Sequence, residues 1–297
     1  MRHDVIIIGG SFAGLSAAMY LARARRTVCV VDAGAPRNRF AAHSHGFFAQ
    51  DGSAPAAMLA TARAQVGAYP TVSFVAGSAV RAQNSGDHFT VVLATGETLS
   101  SSRLVLAFGV ADELPPIPGL AERWGSTVLH CPYCHGYEFS GRRLGVLNVT
   151  PMSVHQAMLI AEWGPTTYFI NGAVRPDVEA AAQLGRRVIA VEEAPVVALH
   201  GDGSRLAAIE LAGGRTVPLD ALYLGPRNHL NSKIAEQLGC SIEETITGRI
   251  IRTDADRRTT VPDVYAAGDI VRGSHNVTWA VGDGVAAALA IHRSFVF

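Results

Sequence analysis

The stretch Val5–Gly14, with the sequence VIIIGGSFAG, decides the fold of this 297-residue chain. Its four leading apolar residues predict a short buried strand, and the glycines that follow predict a tight turn. A helix is expected from about residue 13 to 25. A second strand is expected from residue 27 to 31, ending at Asp32. Strand, turn, helix and strand together form a βαβ unit, the building block of a parallel α/β sheet.

The turn after the first strand has the spacing of a dinucleotide-binding fingerprint, except that Ser11 stands at the position of its second glycine. Gly9 permits the tight turn and Gly14 lets helix and strand approach closely. The helix N-terminus then offers backbone N–H groups to a pyrophosphate. Asp32 stands where an acid accepts hydrogen bonds from a ribose. A βαβ unit without a ligand is the alternative interpretation.

A polar loop follows this unit and contains Arg37, Asn38 and His45. Loops after a nucleotide-binding unit often line the cofactor, so Arg37 and Asn38 are candidates to reach an adenylate. A solvated surface loop is the alternative for each histidine here. The histidine spacing matches no metal-binding motif.

A second α/β unit is predicted from strand 143–149, a helix over 151–163 and a strand over 166–170. The prolines at 115, 116 and 118 place the first domain boundary near 112–119, because proline continues neither a helix nor a central strand. The turn of the second unit, Asn148–Ser153, lacks glycines. Its side chains are expected to crowd an approaching pyrophosphate.

Cys131 and Cys134 lie three positions apart in the sequence CPYCHGYE, which covers residues 131–138. Such a pair can close a small disulfide ring, and a neighbouring imidazole such as His135 can help hold one sulfur as thiolate. We therefore predict a redox-active pair. A zinc half-site and two inert buried thiols remain the alternatives, although Cys29 and Cys240 stand alone in the sequence.

The composition excludes some partners. With 25 basic and 25 acidic residues the formal net charge is zero, so neither nucleic acid nor an anionic membrane is an expected partner. No apolar stretch has the length of a membrane span. The N-terminal apolar run is too short for a signal-peptide core, which predicts a cytoplasmic protein in a reducing compartment.

Three landmarks resemble the low-molecular-weight thioredoxin reductase family of flavoproteins: the turn Gly9–Gly14 with Asp32, the pair Cys131/Cys134, and the sequence AAGD at residues 266–269. They occur in that family's order and the resemblance covers essentially the whole chain. It implies an α/β fold of two Rossmann-like three-layer domains (the FAD/NAD(P)-binding fold), the second inserted into the first. Segments 1–112 and 246–297 would form the FAD domain. Segment 113–245 would form the inserted NAD(P)-domain-like module that carries the dithiol.

The resemblance also implies the cofactor, FAD, and the residues that contact it. Asn276 replaces a glutamine that usually meets the flavin ring, with Val277 beside it, and Asp269 matches the acid of the ribityl and phosphate region. The full set of expected FAD contacts is Gly9, Ser11, Ala13, Gly14, Asp32, Arg37, Asn38, His45, Val80, Ala107, Gly109, Asp269, Asn276 and Val277.

The resemblance implies that Cys134 lies next to flavin C4a and that Cys131 exchanges with substrate. The family usually has an aspartate after the second cysteine, where this chain has His135, with Glu138 nearby. Imidazole titrates near neutrality, so we predict that His135 is the general base for the dithiol. No metal is expected.

The glycine turn and the His-Arg-Arg cluster that bind NADPH in the family are absent from the second unit. The sequence around the dithiol, residues 131–138, resembles that of the dithiol oxidases that close disulfides in gliotoxin and holomycin. We therefore predict a FAD-dependent thiol–disulfide oxidoreductase without a conventional NADPH site. The alternatives are a thioredoxin-disulfide reductase that uses atypically bound NADPH or ferredoxin, and a non-catalytic redox sensor. A small-molecule dithiol or a thioredoxin-like protein is the expected partner, and the resemblance implies a homodimer.

Overall fold

The structure of this chain, a computed structural model, describes residues 2–297. The strands are β1 (Arg2–Ile8), β2 (Val28–Asp32), β3 (Val72–Ala76), β4 (Ala79–Asn84), β5 (Phe89–Leu93), β6 (Thr98–Leu106), β7 (Val110–Asp112), β8 (Val128–Leu129), β9 (Leu144–Leu147), β10 (Thr166–Phe169), β11 (Ala190–Glu192), β12 (Val196–His200), β13 (Ala208–Leu211), β14 (Thr216–Pro218), β15 (Ala221–Tyr223), β16 (Asn228–Leu230), β17 (Ile242–Thr245), β18 (Gly248–Ile251) and β19 (Val264–Ala266). The helices are α1 (Phe12–Arg23), α2 (Pro55–Gly67), α3 (Pro132–His135), α4 (Ser153–Ile160), α5 (Val178–Arg186), α6 (Ile234–Leu238) and α7 (Val277–Ser294).

The first sheet has the order β3-β2-β1-β6-β5-β4, and β19 also pairs with β6. Strands β1, β2, β3, β6 and β19 run parallel, whereas β4, β5 and β6 form an antiparallel meander. The side chains of Val5–Ile8 are almost completely buried. An uninterrupted apolar run is what a strand covered on both faces requires, which explains why this segment lies at the centre of the sheet.

The two faces of this sheet carry separate apolar cores because successive strand side chains alternate in direction. Val5 and Ile7 pack with α1 and α7, whereas Ile6 and Ile8 pack with residues of β5, α6 and β18. Helix α7 approaches α1 closely, and a Cβ on Gly284 would lie 2.2 Å from the carbonyl oxygen of Ala13. Glycine at this position therefore allows the close helix–helix packing that holds the glycine turn against the C-terminal segment.

The second sheet has the order β11-β10-β9-β15-β8 and is parallel throughout. Leu144 and Val146 of β9 face a core shared with α4 and α5, whereas Leu147 faces a core shared with the antiparallel strands β12–β14. Both sheets thus lie between two outer layers. The predicted α/β fold class with two Rossmann-like three-layer parts is confirmed.

The chain divides into two compact units. The first unit comprises residues 1–39, 55–111 and 228–297, and the second comprises 40–54 and 112–227. The predicted inserted module covered 113–245. The compact second unit ends earlier because Ile234 and Ala235 of α6 pack into the core of the first unit. The second unit also includes the segment 40–54, which the sequence-based prediction had assigned to the FAD domain.

Some element bounds differ from the sequence-based expectations. The helix expected over 151–163 is confined to Ser153–Ile160, and β6 ends at Leu106. Gly109 has a φ of 70°, a left-handed conformation that interrupts an extended strand. The helix after the glycine turn begins at Phe12 and ends at Arg23, close to its expected range.

Candidate functional site

The glycine turn of the first unit has the shape of a phosphate cradle. A Cβ on Gly9 would lie 2.1 Å from the carbonyl oxygen of Ala107, and one on Gly14 would lie 1.8 Å from the carbonyl oxygen of Gly9. Both positions therefore exclude any side chain. Ser11 is the N-cap residue of α1 but its side chain makes no capping hydrogen bond, so the hydroxyl leaves the first-turn N–H groups of the helix available to a ligand.

Asp32 holds the same turn from the end of β2. Its Oδ1 accepts hydrogen bonds from the backbone N–H groups of Gly10 and Gly34, both at 3.2 Å. Its Oδ2 forms an ion pair of 3.2 Å with Arg63. A Cβ on Gly10 would lie 2.8 Å from the Asp32 side chain. The predicted ribose-binding acid is therefore placed beside the turn, and Arg63 is a partner that the sequence did not indicate.

Two of the predicted cofactor residues meet at the end of β19. Arg37 Nη1 lies 3.0 Å from Asp269 Oδ2, and it donates a hydrogen bond of 2.6 Å to Nδ1 of His275. His275 Nε2 in turn donates to the backbone oxygen of Arg272 at 2.9 Å. Arg37 therefore connects the loop after β2 with Asp269. Asn38 is half-buried in the same loop.

Asp283 is a functional candidate that sequence reasoning missed. It is 2% exposed and its carboxylate is paired with Arg257 at 2.8 Å and with Arg272 at 2.5 Å. It also accepts a hydrogen bond from the backbone N–H of Gly268, the residue before Asp269. One signal was available in the sequence: Asp283 is the single acid in the otherwise apolar helix α7.

The Asn276 side chain caps a helix. Its Oδ1 accepts a 2.7 Å hydrogen bond from the backbone N–H of Trp279 and thereby caps α7. The cap engages Oδ1, and the predicted contact of Asn276 with the flavin ring stays a prediction. Val277 is the first residue of α7 and is half-buried.

The other predicted cofactor residues occupy two different places in the first unit. Ala13 is buried in the first turn of α1, and the Ala107 N–H extends the ladder of β6 by donating to Ile8 at 2.8 Å. The Gly109 carbonyl accepts from the backbone N–H of Asn231 at 3.1 Å. Val80 lies at a β-bulge in β4 and is 50% exposed.

The dithiol lies at a short helix in the second unit. Cys131 immediately precedes α3, and Pro132 is the first residue of this helix. Cys131 and Cys134 are both half-buried. Trp163 supports this loop: a Cβ on Gly136 would lie 2.8 Å from its ring, and its ring centroid is 5.8 Å from that of Tyr133. Proline at the first helical position and glycine against an indole therefore fix the loop on both sides of the thiols.

His135 is half-buried beside the thiols and has the properties of a neutral base. Burial lowers its pKa below the ordinary value, an effect that the Glu138 carboxylate partly offsets and His45 reinforces. The imidazole is therefore neutral at pH 7 and able to accept a proton. Its backbone oxygen accepts a 3.3 Å hydrogen bond from Tyr223, whose pKa is raised by burial.

His45 lies in the second unit, on the segment 40–54. Its ring centroid is 6.3 Å from that of His135, with the rings edge to face. Its Nε2 lies 3.5 Å from Glu138 and its Nδ1 lies 3.5 Å from Asp51. The structure therefore places His45 beside His135 and Glu138, and the predicted contact of His45 with FAD stays a prediction.

The turn that would bind a second dinucleotide is closed from within. The Ser153 hydroxyl accepts hydrogen bonds from the backbone N–H groups of Val149 at 3.1 Å and Thr150 at 3.2 Å. Ser153 is 1% exposed. The backbone donors that a pyrophosphate would need at this position are consequently already occupied by a side chain of the protein.

No group of three or more His, Cys, Asp or Glu side chains within residues 2–297 is arranged to hold a metal ion. None of the helices in that range combines the length and the apolar character needed to cross a membrane.

Comparison with protein families assigns the chain. Residues 3–284 match the model described as pyridine nucleotide-disulphide oxidoreductase. This chain belongs to the pyridine nucleotide-disulphide oxidoreductase family. The predicted family resemblance and the predicted enzyme class, a disulfide oxidoreductase, are therefore confirmed.

Relatives of this oxidoreductase cover nearly the whole chain. Thioredoxin reductase tcpT of Claviceps purpurea is 32% identical over 95% of this chain and 90% of its own length. The crystal structure of an oxidoreductase from Agrobacterium tumefaciens has a TM-score of 0.95 at 46% identity and covers 100% of this chain and 99% of its own. The crystal structure of HlmI has a TM-score of 0.94 at 41% identity and covers 99% and 93%.

Proposed function

We propose that this chain is a FAD-dependent thiol–disulfide oxidoreductase that oxidises a dithiol through Cys131 and Cys134 without a conventional NADPH site. The observation that carries the proposal is the Ser153 hydroxyl bound to the N–H groups of Val149 and Thr150. The family is named for pyridine nucleotides, yet the turn where one would bind has no glycine, and its Val149 and Thr150 N–H groups are already engaged. A second electron carrier would then have to enter elsewhere or be absent.

The residues of the first unit fit FAD. The cradle that a Cβ would fill at Gly9 and Gly14, together with the uncapped start of α1, suits a pyrophosphate. Asp32 would hold the adenosine ribose and Asp269 the region of the ribityl chain, and both carboxylates are half-buried and oriented by arginines. When bound, the flavin supplies a two-electron acceptor.

The chain's own part of the reaction is thiol–disulfide exchange and proton transfer. His135, neutral at pH 7, takes a proton from a thiol, and the resulting thiolate attacks a disulfide sulfur. A substrate dithiol thereby becomes a disulfide while the Cys131–Cys134 disulfide becomes a dithiol, so atoms and electrons balance. The loop geometry set by Pro132 and Gly136 keeps the two sulfurs on one short turn.

The proposed substrate is a small-molecule dithiol, with a thioredoxin-like protein as the second candidate because relatives are named thioredoxin reductases. We also propose that the protein is cytoplasmic and, on the family resemblance, that the first unit is the FAD domain and that the protein forms a homodimer. Size-exclusion chromatography with light scattering measures the last point directly.

The deciding experiment mixes the purified flavoprotein anaerobically with NADPH, NADH and a dithiol in separate reactions and follows the flavin absorbance near about 450 nm. We expect the dithiol to bleach the flavin and both nucleotides to leave it oxidised. Rapid bleaching by micromolar NADPH would overturn the absence of an NADPH site. Bleaching by the dithiol without any turnover in air or with other acceptors would instead indicate a redox sensor.

A further inference from the structure

We propose that His45, held between Asp51 and Glu138, is the proton outlet of His135 and tunes the pH range in which the dithiol reacts. This inference rests on the proposed function, because it concerns the same dithiol. It assigns to His45 a role toward the dithiol base, and it explains why the segment 40–54 belongs to the compact unit that carries Cys131 and Cys134.

The need for an outlet follows from the chemistry. Oxidation of a dithiol to a disulfide removes two electrons and two protons. The electron pair reduces the Cys131–Cys134 disulfide, whereas each thiol proton must first be taken by a base. His135 can hold one proton only. It must therefore lose that proton before it acts again.

The geometry provides a route from a half-buried base to water. His45 stands edge-on to His135 with a centroid separation of 6.3 Å, and Glu138 interacts electrostatically with both imidazoles. The other ring nitrogen of His45 faces Asp51 at 3.5 Å. The side-chain exposure rises from 22% at His45 to 39% at Glu138 and 71% at Asp51. Each ring nitrogen of His45 therefore has a carboxylate nearby that can accept a proton, and both carboxylates are more exposed to solvent than the imidazole.

The groups around His135 define the electrostatic effect of His45. Glu138 favours the protonated form of His135 and His45 disfavours it, while Cys131 and Cys134 lie on the same loop. Tyr223 donates a hydrogen bond to the backbone oxygen of His135 and stays protonated because burial raises its pKa. Removing the His45 imidazole removes the lowering effect and releases Glu138 from its present partner. Both changes raise the pKa of His135.

His43 is a matched control on the same segment. Its ring is 6.2 Å from that of His45, but its Nδ1 donates to the backbone oxygen of Gly52 at 3.0 Å. Replacing it removes the same kind of side chain from the same loop. No ring contact joins His43 to His135 in the described part of the chain.

The test compares wild type, His45→Gln and His43→Gln as holoenzymes. The pKa of His135 is measured by NMR on ring-labelled histidine, with His135→Asn identifying the signal, and the pH profile of flavin reduction by a dithiol is measured by stopped flow. We expect His45→Gln to raise the pKa of His135 by roughly 0.5 to 1. The acid limb of the pH–rate profile then moves to higher pH, and the rate of flavin reduction on that limb falls about 3- to 10-fold. Added imidazole buffer should restore the rate, and His43→Gln should match wild type.

Identical pKa values and identical pH profiles in His45→Gln and wild type would overturn the outlet. A raised pKa with a normal rate at all pH values would also overturn it, because proton release would then have another path. Failure of the proposed function is distinguishable: the wild-type flavin would not be reduced by any dithiol, while the NMR titration would still report whether His45 and His135 are coupled.

Discussion

The backbone N–H of Gly268 donates a 3.3 Å hydrogen bond to the buried carboxylate of Asp283. This bond connects the turn before Asp269 to helix α7, and the same carboxylate is paired with Arg257 and Arg272. Gly268 itself lies at φ 86°, and a Cβ there would lie 3.0 Å from that of Ala13 in α1. The position of Asp269 therefore depends on the ion pairs that the buried Asp283 of α7 forms with Arg257 and Arg272.

We predict that Asp283→Asn destabilises the protein and weakens FAD binding. The amide can still accept from Gly268, but two arginines lose their counter-charge, and disrupting a buried pair costs about 3–5 kcal/mol in free energy of unfolding. Urea unfolding measures the first effect, and fluorescence titration of the apoprotein with FAD measures the second. Asp256→Asn is the control, since Asp256 pairs with Arg258 and Arg293 at 38% exposure and should change stability by less than about 1 kcal/mol. Equal effects of the two substitutions would contradict the prediction.

We predict that Gly14→Ala yields a folded protein that has lost FAD. The added methyl would lie 1.8 Å from the Gly9 oxygen, so the turn must move away from the pyrophosphate position. The flavin content of the purified protein is the measurement, with circular dichroism to verify the fold. Gly185→Ala in α5 is the control, because a Cβ there meets nothing within 4 Å and alanine favours a helix. A Gly14→Ala protein with full flavin content would show that the turn is not the cradle.

The fold was predictable from the sequence where its signals are local. The buried run Val5–Ile8, the glycines of the first turn and Asp32 lie within one βαβ unit, so spacing alone identified them. The dithiol loop is equally local. Its proline, its glycine and His135 lie within six consecutive residues.

The rest of the site depends on contacts between distant segments, which spacing does not encode. His45 meets His135 only because residues 40–54 fold with the second unit, and Asp283 meets Gly268 only because α7 packs on α1. At Asn148–Ser153 the sequence predicted only that bulky side chains would crowd a pyrophosphate. The structure adds the Ser153 hydroxyl, which occupies two backbone donors. The sequence analysis also did not identify the cap that Asn276 provides for α7.

We predict that Cys134→Ser retains FAD but is not reduced by a dithiol. Serine is nearly isosteric and cannot form a disulfide with Cys131, so the exchange step is lost while the first unit is untouched. Flavin content and anaerobic bleaching by a dithiol are the two measurements. Cys240→Ala, which removes a buried thiol that contacts Thr259, should still be bleached. Bleaching of Cys134→Ser at the wild-type rate would show that electrons do not pass through this pair.

We predict that acid weakens the structure of the second unit partly through Asp220. Its hydrogen bonds with Arg143 lower the pKa of Asp220 to about 2, against an ordinary value of 3.8, and they connect the starts of β9 and β15. A carboxylate with a lowered pKa stabilises the folded state above its unfolded pKa, and that contribution is lost as pH falls from about 4 to 2. Wild type should exceed Asp220→Asn by about 1 kcal/mol in free energy of unfolding at pH 6, after allowance for solvent screening, and the difference should shrink toward pH 2. Asp87 is the control for this prediction. His88 and Arg2 also lower the pKa of Asp87 to about 2, but its side chain is 76% exposed. Asp87→Asn should therefore show a smaller pH-dependent difference from wild type in free energy of unfolding. Urea titrations at several pH values compare the two variants, and a difference for Asp220→Asn that does not change between pH 6 and pH 2 would contradict the assignment.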